Sequence, residues 1–231
     1  MISLPPGCAL FEGVRPEDCT RLLAAISLRD VGENEIVFQQ GDPAGAAYVV
    51  MGGTGNVRAG AVGGAAKQLM VEIFKLGDLF GELAALDGTE RSAEAIVLGG
   101  PVRLAVLPAG LLREALAEVP RLGANLALLL AARVRRTFTL LRDATFERLE
   151  VRLARQILYI AKRDGRLGPE GVRLGQRVNQ DDLADLMGAT TRSVITILNA
   201  WRADGLLRYD ARTGRVTLPD PGRLVRLIEG D

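Results

Sequence analysis

The 231-residue chain contains no histidine, two cysteines, one tryptophan, and aromatic residues at only 4%. Without an imidazole, Ser-His-Asp triads, histidine-based zinc sites and histidine-ligated haem are excluded. Cys8 and Cys19 form no Cys-x-x-Cys pair and have no further thiol beside them, which excludes a cysteine-ligated iron–sulfur cluster within one chain. Reduced thiols are expected for them, with a disulfide left open. Catalysis would fall to carboxylates, lysine, tyrosine or thiols, and no constellation of these stands out. Neither an enzyme nor a metal site is expected. The most apolar run, LGANLALLLAARV from Leu122 to Val134, is too short to cross a bilayer and meets Arg133, Arg135 and Arg136. The N-terminal MISLPPGCALFEGV has neither a basic leader nor a long apolar core, so no signal peptide is expected and the chain reads as cytoplasmic.

Length allows one large domain or two modest ones. Charge is unevenly spread. Residues 1–147 carry 14 Lys+Arg against 17 Asp+Glu (−3), and residues 148–231 carry 15 against 11 (+4). A basic C-terminal part suggests an anionic partner there. From about Val31 to Leu107, short β-branched runs (EIVFQQGD, AAYVVM, GNVRAG, QLMVEIF, AEAIVL, VRLAVL) alternate with Gly, Asp or Pro. That spacing predicts an antiparallel sandwich or roll, preceded by a short helix in RPEDCTRLLAAI with Pro16 in its first turn. From Pro108 the period becomes helical. AGLLREALAEV is one helix, and Pro120 opens a second. Along the second, Leu126, Leu130, Val134, Thr137 and Leu141 recur at steps of four and three, as in a dimer seam. A third helix spans FERLEVRLARQILYIAKRDG and ends at Gly165, a suitable C-cap. Next, VNQDDLADLMGATTRSVITILNAWRADGLL reads as helices Gln180–Met187 and Thr190 to about Ala203 around a turn at Gly188. Their shared apolar face holds Leu183, Ala184, Leu186, Val194, Ile197, Leu198 and Trp201. LLRYDARTGRVTL then predicts a hairpin around Thr213-Gly214, a wing behind a helix-turn-helix.

Between strands lies GELAALDGTERSA, with Glu82 and Arg91 either side of a turn. The pair is either a structural ion pair or a receptor for something charged. In GDLFGELAALDGTERSAEAIV, Gly-Glu-Leu-Ala and Arg-Ser-Ala occur at the spacing of a phosphate-binding cassette. Together with the order roll, long helix, winged helix-turn-helix, the whole chain resembles the cAMP receptor protein/FNR family of bacterial transcription regulators. The resemblance implies that Arg91 and Ser92 hold a cyclic phosphate and Glu82 the ribose, with the Gly81 and Leu83 backbone nearby. The chemistry suits those roles. A guanidinium offers a planar fork to an anion, and a carboxylate accepts from a ribose hydroxyl. Thr137 is implied at the base, but Phe138 stands where the cAMP receptor protein has a serine, which admits nucleotides other than cAMP.

The same resemblance implies a DNA-reading surface of Arg177, Thr190, Thr191, Arg192, Ser193, Thr196 and Arg212. The family commonly carries Glu and Arg in the recognition helix. Here Arg192 takes the Glu position and Thr191 and Thr196 take arginine positions. Arg192 suits guanine, while Thr191, Ser193 and Thr196 offer hydroxyls or methyl contact. A two-fold operator unlike that of the cAMP receptor protein is therefore expected. Arg208 and Arg215 in the wing, with Arg177 and Arg212, are expected at phosphates.

The expectation is an α+β chain of three parts: a β-roll sensor over 1–119, a dimerisation helix over 120–143 and a winged helix-turn-helix over 144–231, with a hinge near Asp143–Thr145. It implies an effector-gated homodimer on double-stranded palindromic DNA, acting with RNA polymerase and away from membranes. No cofactor is expected to be tightly bound; cAMP is the first-choice reversible effector. The alternative keeps the fold but is ligand-independent or senses redox through Cys8 or Cys19.

Overall fold

The computed structural model describes residues 4, 5, 7–62, 68–175, 179–210 and 214–230. The chain divides into two units, Met1–Arg136 and Thr137–Asp231. In the first, 3-10 turns at Ala9–Phe11 and Pro16–Cys19 lead into α1 (Thr20–Ala25). Eight strands follow: β1 (Ser27–Val31), β2 (Ile36–Phe38), β3 (Ala46–Gly53), β4 (Asn56–Val62), β5 (Gln68–Phe74), β6 (Leu79–Phe80), β7 (Glu94–Leu98) and β8 (Val102–Pro108). Helix α2 (Glu82–Asp87) sits between β6 and β7, and α3 (Ala109–Glu118) follows β8. The strands form two antiparallel sheets, ordered β1-β8-β3-β6 and β2-β7-β4-β5.

Why the central strands of the first sheet, β3 and β8, are nearly continuous apolar runs follows from burial on both faces. Along β8, Val102 and Leu104 face the interior between the sheets, shared with Val31 and Phe80 of the first sheet and Val37, Val57, Phe74 and Val97 around the second. Ala105 and Leu107 point the other way, into a cluster with Leu22, Leu23, Leu112, Leu122 and both cysteines. The period of two assigns alternate residues to two separate cores. Glycine permits the close return after β3: a Cβ on Gly55 would lie 1.9 Å from the Gly100 carbonyl oxygen.

Helix α4 (Pro120–Phe146) begins in the first unit and ends in the second. It extends three residues past the expected end. The expected hinge at Asp143–Thr145 thus lies within helix, where Glu147 N–H still donates to the Asp143 carbonyl at 3.0 Å. The break falls at Glu147–Arg148, before α5 (Leu149–Asp164). Asp143 is buried and accepts from Arg155 at 2.5 Å and Arg142 at 2.9 Å, with Arg155 also reaching Glu147 at 3.0 Å. Charge pairing holds this corner.

The second unit continues with β9 (Arg166–Gly168), β10 (Gly171–Arg173), α6 (Gln180–Met187), α7 (Thr191–Ala203), β11 (Arg208–Asp210), β12 (Arg215–Leu218) and α8 (Pro221–Glu229). The expected wing strands are present, and β10 and β9 extend them to a four-stranded sheet ordered β11-β12-β10-β9. Among the described residues, no single helix is long and apolar enough to cross a membrane.

Gly165 ends α5 as expected. Its φ is −67°, not left-handed. Glycine is needed there for space, because a Cβ would sit 2.2 Å from the Ala161 carbonyl oxygen and 2.6 Å from Val172 Cγ1. Gly165→Ala is expected to lower unfolding free energy by about 2 kcal/mol. Gly168→Ala, where the nearest atom to a new Cβ is 3.9 Å away, is expected to cost under about 0.5 kcal/mol. Urea denaturation of the two variants checks the contrast.

Candidate anion pocket and nucleic-acid interface

Gly81 links β6 to α2 with φ +69°, a backbone conformation that favours glycine. A side chain there would also collide: its Cβ would lie 2.8 Å from Arg91 Nη1 and 3.2 Å from Phe38. The cassette closes tightly on its own arginine.

Arg91 is held from both ends. Its N–H donates to the Asp42 carbonyl and its carbonyl accepts from Gly41 N–H, each at 2.9 Å. The side chain is only 4% exposed. Nη1 donates to the Gly81 carbonyl and Nη2 to the Ala46 carbonyl, both at 2.6 Å. The guanidinium carbon lies 4.2 Å from the Phe38 ring centroid and 5.5 Å from that of Tyr48. These rings belong to a stack with Phe80 and Phe74, centroids 5.3–6.1 Å apart. Arg91 Nε is buried without a hydrogen-bond partner. Burial pushes the guanidinium pKa below its ordinary value, against the opposing influence of Tyr48, Asp42 and Glu82. Among the described residues, no carboxylate forms an ion pair with it. A desolvated cation facing carbonyls and ring faces is suited to an anion that brings its own charge.

Glu82 does not brace Arg91. It is 3% exposed and pairs with Arg133 of α4 at 2.5 Å. Arg133 also donates to the Leu79 carbonyl and lies 5.1 Å from the Phe74 centroid. One turn on, Arg136 pairs with Glu72 of β5 at 3.2 Å, both side chains about 85% buried, at 14% and 15% exposure. The sequence reading missed both arginines as site residues. The signal was their three-residue spacing on one side of an apolar helix. Of the other expected site residues, Leu83 is half exposed, Ser92 is exposed, and Thr137 is exposed on α4.

The expected seam on α4 changes at its start. Leu126 was placed in the dimer seam, but it is buried in the first unit's own core with Leu122. Asn125 lies beside it and donates to the Leu10 and Glu12 carbonyls at 2.9 and 2.8 Å. That stripe is already committed within the chain. Leu130 is also turned partly toward this core. Phe138 is 66% exposed, between Val134 at 52% and Leu141 at 62% on one helix face. The exposed apolar stripe therefore runs Val134, Phe138, Leu141.

In the second unit, the Asn179 side chain caps α6 by accepting from Asp181 N–H at 3.1 Å, and Gly188 closes that helix with φ +57°. Thr190 caps α7, accepting from Ser193 N–H at 3.2 Å. Leu183, Ala184, Leu186, Val194, Leu198 and Trp201 are buried as expected, with Ile197 half-buried. Trp201 Nε1 donates to Glu150 of α5 at 3.0 Å, which fixes the helix pair to α5. Outward from α7 stand Arg192, Ser193, Thr196 and Asn199. Thr191 donates its hydroxyl to Asp181 at 2.7 Å. Arg208 pairs with Glu170 at 3.4 Å across the wing. Arg177 and Arg212 lie outside the described residues.

Residues 28–119 match the model of the cyclic nucleotide-binding domain, and residues 151–227 match that of the Crp-like helix-turn-helix domain. The chain is 31% identical over 210 residues to the cyclic AMP receptor protein of Thermus thermophilus, covering 91% of this chain and 93% of that one. The chain belongs to the cAMP receptor protein/FNR family of transcription regulators. It is 28% identical over 217 residues to a CRP-like cAMP-activated global transcriptional regulator of Mycobacterium tuberculosis, covering 94% and 95% of the two chains. Among solved structures, it is similar to the Thermus thermophilus catabolite activator protein, with TM-score 0.52 and 28% identity over 96% and 99% of the chains. The fold is also that of the c-di-GMP-responsive regulator CLP of Xanthomonas campestris, with TM-score 0.73 and 24% identity over 88% and 99%. This family member is thus a DNA-binding transcription regulator carrying a cyclic nucleotide-binding domain.

The Glu82–Arg133 pair yields a stability test. Arg133→Leu leaves a buried carboxylate without its partner and is expected to cost on the order of 3 kcal/mol. Adding Glu82→Leu is expected to recover part of that loss. Denaturant titrations of both variants check the order.

Proposed function

We propose that the protein is a homodimeric regulator whose DNA binding is gated by a cyclic nucleotide, with cAMP the first candidate. One observation carries the reading: a buried Arg91 with an orphan Nε and no carboxylate partner among the described residues, its Nη1 on the carbonyl of Gly81, the residue before Glu82. Arg91 and Ser92 then take the cyclic phosphate, and the Gly81 and Leu83 backbone lies beside it. Glu82, already oriented by Arg133, accepts from the ribose 2′-hydroxyl, since a carboxylate has lone pairs for both donors. Thr137 meets the base. The cAMP named for two relatives supports this effector.

Dimerisation is carried by α4 through Leu130, Val134, Thr137 and Leu141, with Phe138 added. The exposed Val134–Phe138–Leu141 stripe supports a self-complementary helix seam. DNA binding is assigned to Thr190, Thr191, Arg192, Ser193 and Thr196, with Arg177 and Arg212 at phosphates. A dimer presents α7 twice and thus fits a palindromic operator. Nucleotide binding biases the placement of the two α7 helices through α4 and the break at Glu147–Arg148. RNA polymerase as partner and a cytoplasmic location belong to the same reading. The thiol-sensing alternative finds no support. Cys8 and Cys19 are buried, and burial pushes both thiols above their ordinary pKa, which disfavours the reactive thiolate.

Calorimetric titration of nucleotide-free protein with cAMP, then cGMP, is expected to show saturable binding near one site per chain. Arg91→Leu is expected to weaken it at least roughly a hundredfold, through loss of a charge-assisted contact, with a much smaller effect on folding. Unchanged affinity at unchanged melting temperature removes Arg91 from the site. Binding of neither nucleotide overturns the effector assignment. Leu141→Glu is expected to shift the sedimentation coefficient from dimer to monomer.

A further inference from the structure

A hydroxyl has one proton to give. At Thr191 and Thr196 of α7 that proton is engaged by the protein itself. Thr191 Oγ1 donates to Asp181 Oδ1 at 2.7 Å, and Thr196 Oγ1 donates to the Arg192 carbonyl at 2.9 Å. Ser193 and Thr190 hydroxyls face each other at 2.8 Å, and Thr190 Oγ1 also accepts from Ser193 N–H. The Thr191 bond is to a carboxylate, the stronger kind, and is not exchanged for a neutral base acceptor without loss. The Arg192 guanidinium, by contrast, is exposed and makes no hydrogen bond or ion pair with the described residues. The first turns of α7 thus offer a free fork of donors at Arg192, the one proton that the Thr190–Ser193 pair leaves over, and two threonine γ-methyl groups beside oxygens that can only accept.

The major groove has one group that answers a methyl: the C5-methyl of thymine. It has one base edge that answers a lone guanidinium fork: O6 and N7 of guanine. We infer that this helix reads guanine through Arg192 and thymine through the methyl groups of Thr191 and Thr196, whose hydroxyls serve to lock rotamers rather than to contact bases. The inference rests on the DNA-reading assignment above and adds the chemical group that is read. Asp181, on the preceding helix, is a positioning residue: it turns the Thr191 hydroxyl toward the protein and so decides which side of that side chain the groove meets. With threonine at the two positions where the family commonly has arginine, methyl readout joins the single polar readout by Arg192.

The test uses full-length protein with and without cAMP. An operator is first selected from random duplex DNA, and each thymine is then replaced by deoxyuridine, which removes only the methyl. At one or two positions per half-site the replacement is expected to weaken binding roughly threefold to tenfold, the worth of one buried methyl contact. Thr196→Val, which keeps the methyl and removes the hydroxyl, is expected to retain this sensitivity. Thr196→Ser and Thr191→Ser, which keep the hydroxyl, are each expected to bind thymine and uracil operators alike at the position they contact. Indifference of the wild-type protein to uracil at every position overturns the inference, as does sensitivity kept by the serine variants and lost by the valine variant. Either result leaves DNA binding standing, whereas failure to select any sequence removes the DNA-reading assignment and this inference with it.

Discussion

A positive charge inside an aromatic wall sets the terms for the sensor unit. Arg91 gives up hydration to donate to two backbone carbonyls and to lie on Phe38, and no ion pair with a described residue compensates it. Such a charge is costly to keep. It persists because Gly81 has no side chain to displace it and because the Gly41 and Asp42 backbone clamps its own strand entry. Glu82, one residue from Gly81, is kept from neutralising it by a stronger local claim from Arg133. The two opposite charges in the cassette stay separate, as the proposed division of one ligand between them requires.

The long helix joins this arrangement to the second unit by dividing its faces. Leu122, Asn125 and Leu126 are given to the roll, Arg133 and Arg136 to the carboxylates Glu82 and Glu72, and Val134, Phe138 and Leu141 to the exterior. A helix committed in this way cannot rotate about its axis without giving up either buried apolar area or an ion pair. Whatever alters Glu82 therefore acts on the helix directly, with no intermediate relay.

Local signals made much of this legible. β-Branched runs between glycines marked β2 to β5, β7 and β8, and the cap at Thr190 with the turn at Gly188 marked α6 and α7. The roll strand β1 was missed because SLRDV is mostly exposed at a sheet edge and carries no apolar alternation. The two-residue β6 is too short for any period. Helix α8 did have signals, Asp220 as its cap, Pro221 at its first position and Gly230 past its end, which went unused. Partnerships across distance were a different matter. Glu82 and Arg133 are separated by half a roll of chain, and only the fold brings them together. The misplacement of Leu126 has the same origin: a heptad step cannot say whether a stripe faces a second copy or the chain's own core.

Both thiols lie in the cluster that seats the start of α4, packed with Leu122 and Leu126. Neither is reachable while that cluster is closed, so alkylation of the native protein has to wait for its opening. The wild-type chain thus carries its own clock for the unseating of the long helix from the roll, read as the rate of thiol modification, with no label or substitution introduced.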